Sequence, residues 1–201
     1  LESNTDSADR HKSLHWEEVR KGIIGVWGAE VCAMADAALP NGRLNLAVTC
    51  RDAFPMHVTV SAALWNRSLG ALVQRHPTLG IVTFPGGHIE PGERPIEAAG
   101  RELGEEAGVQ ILPSNWIHDR PIGLSMHQIP AAPGASDHWH CDLLFGASGD
   151  WLTEIPASPE GITGYWSGLD LSSPKFLCLL ERTPFGRGFW YDVIDGSERG
   201  H

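Results

Sequence analysis

At 201 residues the chain accommodates one domain with an N-terminal addition and is too short for a second full domain. Its formal net charge of -10, from 25 Asp and Glu against 15 Lys and Arg with no basic run to offset them, argues against a nucleic-acid polymer as partner. Cys32, Cys50, Cys141 and Cys178 form no CxxC pair, which speaks against a disulfide scaffold and a thiolate zinc site and for a reducing cytoplasm, while no apolar run approaches a membrane span.

Residues 1–13 are polar, aperiodic and unlike a secretion signal, and are expected to form a flexible tail. From Leu14 to about Ala38, the residues Trp16, Val19, Ile23, Val26 and Trp27 recur at roughly helical spacing, which predicts one or two helices in an extension over 14–50. Gly22, Gly25 and Gly28 would each cost roughly 1 kcal/mol in a helix interior, so a break is expected among them. Pro40-Asn41-Gly42 marks a turn. The remaining 51–201 form the main domain. His57–Trp65, rich in β-branched and apolar residues, turns at Asn66–Gly70 and resumes as Ala71–Gln74, the pattern of a β-hairpin. Ile81–Phe84 is a short strand running into Pro85-Gly86-Gly87, and a helical pattern follows from Pro95 to Ala107, stopped by Gly108. His138–Phe145 alternates like a strand, Gly164–Trp166 is a further strand, and Lys175–Glu181 reads as a short helix. Strands on both sides of a central helix predict the α/β class, a sandwich around a mixed sheet.

The stretch with the most chemistry is GHIEPGERPIEAAGRELGEEAGV, residues 87–109. Pro95 suits a first helical turn, where its missing N–H is harmless. Ile96, Ala99, Leu103 and Ala107 then form a stripe that can pack on a sheet. Glu102, Glu105 and Glu106 stand at i, i+3 and i+4 and project together from another face. Like charges at this spacing repel by a few tenths of a kcal/mol per pair, so the trio favours a cation among them. Oxygen ligands select Mg²⁺, with Mn²⁺ as a substitute. The glycine pair before the helix can bring a backbone carbonyl close to the same ion, and Gly86 is the candidate. Taken alone, three glutamates on an amphipathic helix are more often a solvated face.

The spacing as a whole changes that balance. It resembles the Nudix box, G-x5-E-x7-R-E-U-x-E-E-x-G-U with U aliphatic, matched at Gly87, Glu93, Arg101, Glu102, Leu103, Glu105, Glu106, Gly108 and Val109. A chance match of this kind is on the order of 10⁻⁷ at average residue frequencies. The resemblance implies a Nudix-type α/β/α sandwich around a mixed sheet, a loop-helix-loop whose glutamates hold Mg²⁺ against a diphosphate, and an Arg101–Glu93 pair that holds the loop to the helix. In that family the residue that takes the proton from water varies. Glu105 is the first choice here, and Glu154 or Glu160 on a downstream loop could lend a further carboxylate.

LSMHQIPAAPGASDHWHCDLLF resembles a group of bacterial Nudix proteins with H-x-I-P and H-x-H-x-D elements, a resemblance that implies no role for those elements. On a strand, His138, His140 and Asp142 share one face, with Trp139 on the other. Three readings stay open: hydrogen-bond donors to a substrate phosphate, a second metal site of His138, His140 and Asp142, or a solvated strand face. His127 either joins this cluster or caps a turn, and His57 is read as a structural hydrogen-bonder. Among the tryptophans, Trp139 and Trp166 are expected to pack, and Trp190 with Tyr191 to cover a core edge or an interface with a second copy.

The leading function is therefore a Mg²⁺-dependent pyrophosphohydrolase acting on a nucleoside diphosphate derivative or similar small diphosphate. Alternatives are a ligand-sensing protein that keeps the fold without turnover, against which the intact box argues, and a phosphate-monoester hydrolase or isomerase using the same metal helix. The N-terminal helices could close over the cleft or pair with a second copy to make a homodimer.

Overall fold

The computed structural model describes residues 20–168, apart from 22, 26–27, 41–42, 78–79 and 132–135. The tail expected over 1–13, the short helix expected over Lys175–Glu181, and Trp190 and Tyr191 lie outside the described residues.

The β-branched run forms β1 (Met56–Asn66), which turns back into β2 (Gly70–Arg75). Asn66 makes that turn. Its Oδ1 accepts from the N–H groups of Ser68 (2.9 Å) and Leu69 (3.1 Å), while its Nδ2 donates to the carbonyls of Gly149 and Leu152. Gly70 follows at φ 89°, a conformation that favours glycine. The short β3 (Val82–Thr83) pairs antiparallel with β2, and β4 (Gly86–His88) pairs antiparallel with β1. After a helix over Pro95–Ala107 come β5 (Gly123–Ile129), β6 (His138–Ser148) and β7 (Gly164–Trp166). β6 lies parallel to β1 from Met56↔Trp139 to Trp65↔Ser148, β5 lies antiparallel to β6, and β7 antiparallel to β2. The sheet is mixed, in the order β3-β2-β1-β6-β5 with β4 on β1 and β7 on β2.

Two of these strands do not show in the sequence pattern. β5, GLSMHQI, has one β-branched residue, and its extended state comes from pairing with β6. Gly86–His88 reads as a turn, yet it is drawn into the sheet by Thr59–Ser61 of β1.

Strand alternation separates two environments. Met56, Val58, Val60, Ala62 and Leu64 of β1 join Cys141, Leu143 and Phe145 of β6 in the main apolar cluster. Helix α1 (Ala29–Ala38) contributes Val31, Cys32, Ala35 and Ala38 to that cluster, and α2 (Pro95–Ala107) contributes Ala98, Ala99, Leu103 and Ala107. The N-terminal extension thus shares one core with the main domain. Gly28, at φ 90°, sits at the start of α1 and interrupts the N-terminal helical run. Trp139 and Trp166 pack against the same cluster. The alternate residues, His57 and Thr59 on β1 and His138, His140 and Asp142 on β6, occupy the other face, as the register His57↔His140 and Thr59↔Asp142 requires.

Helix α2 is bounded by local chemistry. The N–H of Arg94 donates to Glu97 Oε2 at 3.0 Å, Pro95 occupies the first turn, and Gly108 ends the helix at φ 67° with its N–H on the Gly104 carbonyl. A Cβ on Gly108 would stand 2.5 Å from the Ala157 carbonyl, so the loop before β7 packs tightly on this helix end.

Candidate active site

Helix α2 presents Arg101, Glu102, Glu105 and Glu106 toward the Gly86–His88 strand and the loop that follows it. Arg101 is the centre of this corner. Its Nε and Nη2 donate to the two oxygens of Glu93 at 3.1 Å each, its Nη1 to Glu102 Oε1 and Glu105 Oε2 at 2.9 Å each, and its Nη2 also to the His88 carbonyl at 2.8 Å. The planar guanidinium ties loop, strand and helix together in a way that a lysine's point charge cannot. These bonds, led by those to Glu93, raise its pKa further above its already high value.

Glu106 is held differently. Its Oε2 accepts from Gln74 Nε2 at 2.6 Å and from the Gly86 N–H at 2.8 Å. Burial raises its pKa, and those two hydrogen bonds oppose the rise. Burial also pushes Glu102 up to about 7 against the pull of Arg101. Close approach explains the glycine pair. A Cβ on Gly86 would collide with the Val60 carbonyl, and one on Gly87 with the Glu102 carboxylate.

These residues fit a divalent cation. Glu93, Glu102 and Glu105 share a single guanidinium and Glu106, on the same helix, is bound only by Gln74 and the Gly86 N–H, so the corner keeps an excess of hard oxygen donors. Gln74 Oε1, buried beside Glu106, has no hydrogen-bond partner and can accept from a water on such an ion.

Beside this corner lies a cleft of about 320 Å³, lined by Gln74, Gly86 and Glu106 and by His88, His140 and Asp142, among others. The histidines form a second cluster. His57 Nε2 is 3.0 Å from His88 Nε2, and His138 Nε2 is 3.3 Å from His140 Nε2. Burial lowers the pKa of His57, takes His88 down to about 4 and takes His140 down to about 2. Asp142 and His127 line the cleft but stand apart from the imidazole contacts. Asp142 Oδ1 accepts from Thr59 Oγ1 at 2.8 Å, and His127 Nε2 is 2.9 Å from Ser125 Oγ. His57, read from sequence as a hydrogen-bonder, does pair with the Ala53 carbonyl through Nδ1, and it also touches three other histidine rings.

Of the downstream glutamates, Glu160 approaches the helix: its N–H donates to the Glu105 carbonyl at 3.3 Å and its charge contributes to the raised pKa of Glu106. Glu154 is an exposed loop residue. Sequence reasoning passed over Gln74, His88 and Thr59. For His88 a signal existed, since it directly follows the glycine pair. Gln74 and Thr59 carry no local signal, because each acquires its partner only when strands pair.

A glutamate-bearing helix against a glycine-tight strand, on a mixed sheet of the α/β class and beside a cleft, is an arrangement that can hold a divalent cation next to a small molecule. The model of the NUDIX domain family matches residues 55–171, more than half of the chain, and the chain belongs to that family. Membership makes it an enzyme of the pyrophosphohydrolase class. Similar solved structures include a MutT protein from Methanosarcina mazei Go1, 21% identical, covering 58% of this chain and 78% of its own, with a TM-score of 0.45. The E. coli dihydroneopterin triphosphate pyrophosphohydrolase is 18% identical over 61% of this chain and 84% of its own, with a TM-score of 0.47. A C. elegans Ap4A hydrolase is 17% identical over 54% and 79%, with a TM-score of 0.38.

Proposed function

We infer that this hydrolase cleaves the diphosphate linkage of a nucleoside diphosphate derivative or similar small molecule, using Mg²⁺, or Mn²⁺ in its place, held by Glu102, Glu105, Glu106 and the Gly86 carbonyl. The observation that carries this reading is the excess of carboxylate oxygen around Arg101, with Glu102 pushed up to about 7 by burial, next to a cleft. When bound there, a divalent cation screens the diphosphate charge and acidifies a water.

The chain's own residues supply the rest. Arg101 and Glu93 hold the loop against α2 and orient Glu102 and Glu105. Gln74 and the Gly86 N–H turn Glu106 toward the cleft wall. Glu105 is assigned as the base that takes the proton from water, since its side chain is 45% exposed against 13% for Glu102. His127, His140 and Asp142 line the cleft where the substrate's remaining groups would lie, with His138 next to His140, and these four are assigned to substrate recognition. The net charge of -10 supports a small molecule rather than a nucleic-acid polymer as partner. Among the described residues no helix is long and apolar enough to cross a membrane.

The test is hydrolysis of a panel of diphosphate compounds with Mg²⁺, repeated with Glu105→Gln and with a chelator. The expected result is turnover that both controls abolish. Turnover surviving both overturns the reading. Tight binding of one compound without hydrolysis replaces it with a ligand sensor, and phosphate release from monoesters alone moves it to monoester hydrolysis.

A further inference from the structure

We propose that His57, His138 and His140 form a binding site for a transition metal of the Zn²⁺ type, separate from the carboxylate site on α2, with His88 beside them as a neighbour of His57. This goes beyond the diphosphate chemistry: it does not depend on the carboxylate site, and it gives His138 and His140 a role through a bound ion in place of direct contact with substrate.

The register assembles the site. His57 and His140 are direct partners on the parallel β1–β6 pair, His138 lies two residues from His140 on the same face, and His88 enters from β4, opposite Thr59. Ring centroids of His57 stand 4.5 Å from His140, 4.9 Å from His88 and 4.9 Å from His138. One ring nitrogen each from His57, His138 and His140 lies within 4.8 Å of the others. Zn–N bonds of about 2.0–2.1 Å in a tetrahedron place ligand nitrogens about 3.3–3.4 Å apart. The observed Nε2 separation of 3.3 Å between His138 and His140 lies on that edge.

Proton placement supports the same conclusion. His57 Nδ1 faces the Ala53 carbonyl at 3.4 Å, and His138 Nδ1 faces the Ser136 carbonyl at 2.9 Å. A carbonyl only accepts, so each Nδ1 carries a proton, and in the neutral ring the lone pair is then on Nε2. A ligand histidine anchored through its far nitrogen on a backbone carbonyl is the usual outer support of a metal site. Burial lowers the pKa of His57, His88 and His140; Arg51 adds to the lowering of His57 and His88, and Asp52 opposes it at His57. Imidazole donors suit Zn²⁺, whereas Mg²⁺ prefers the oxygen set around α2. The metal here differs from the His138–His140–Asp142 site that the strand pattern suggests, because Asp142 is engaged by Thr59.

The test titrates Zn²⁺, and Co²⁺ as spectroscopic probe, into the metal-free full chain under saturating Mg²⁺. Wild type and Glu105→Gln should each bind one equivalent of Zn²⁺ and give the visible spectrum of tetrahedral Co²⁺. His140→Ala and His138→Ala should lower Zn²⁺ affinity at least about tenfold and lose that spectrum. Circular dichroism checks folding, and His138→Ala, at a half-buried position, serves if the other variant does not fold. Equal affinity in wild type and both histidine variants, or no Co²⁺ spectrum in wild type, overturns the site and leaves a hydrogen-bonded histidine cluster. Loss of binding in Glu105→Gln with retention in His140→Ala assigns the ion to the carboxylates and overturns it as well. Because hydrolysis is not read, a failure of the diphosphate assignment leaves this result intact.

Discussion

The two sides of the cleft are built in opposite ways. The carboxylate side draws Glu93, Arg101, Glu102, Glu105 and Glu106 from one loop and one helix, and most of its geometry follows from helical periodicity. The histidine side draws His57, His88, His138 and His140 from three strands, and His57 meets His140 only through parallel pairing. A one-residue slip of β1 against β6 would turn that face away and leave the helix side intact. Local assembly makes the carboxylates robust to distant change. The histidines depend on the whole sheet.

Substitutions can break or sharpen this contrast. The largest effect is expected for Glu105→Gln, which should cut kcat by about 10² to 10⁴ with an unchanged denaturation midpoint, measured by steady-state kinetics and urea melts. A variant at full speed would remove the chemistry from the helix side. Arg101→Ala strips donors from Glu93, Glu102, Glu105 and the His88 carbonyl at a position only 23% exposed, and should cost about 2–3 kcal/mol in urea unfolding as well as activity. Restoration by Arg101→Lys would show that charge alone matters there, against the forked geometry.

On the sheet side, Thr59→Val leaves Asp142 Oδ1 without its buried donor and should cost about 1–2 kcal/mol by the same measurement. His138→Ala should lower kcat/KM about tenfold, about 1.4 kcal/mol, without abolishing Mg²⁺ binding in calorimetry. Loss of Mg²⁺ binding would merge the two sides into one site. The smallest effect concerns thiols. Burial raises the Cys141 pKa and Cys50 is exposed, so a thiol reagent followed by peptide mapping should label Cys50 in the native protein and leave Cys141 unmodified.

Much of the helix side was legible from residue order. Pro95, the Ile96–Ala107 stripe and Gly108 mark α2 from end to end, because capping, periodicity and termination act within a few residues. The β1–β2 hairpin was legible for the same reason, through its Asn66–Gly70 turn. β5 was not, since its composition is not strand-like and its partner lies beyond a loop. Placing His138, His140 and Asp142 on one face needs only strand alternation, but the partner of Asp142 is Thr59, 83 residues away. His88 shows the limit most clearly: its backbone carbonyl serves Arg101 while its ring joins His57, so one residue links both sides of the cleft.

By itself the sequence determined the family, the helix that carries Glu102, Glu105 and Glu106, and the excess of carboxylate that calls for a cation. Spacing along a helix is a local property, and local properties survive in a string of letters. The tertiary structure decided which oxygen of Glu106 meets Gln74 and Gly86, why Gly87 admits no side chain beside Glu102, and how four distant histidines come to face one another. Those contacts depend on strand register and close packing, which are fixed only when the β1–β6 pair and the core beneath it form together.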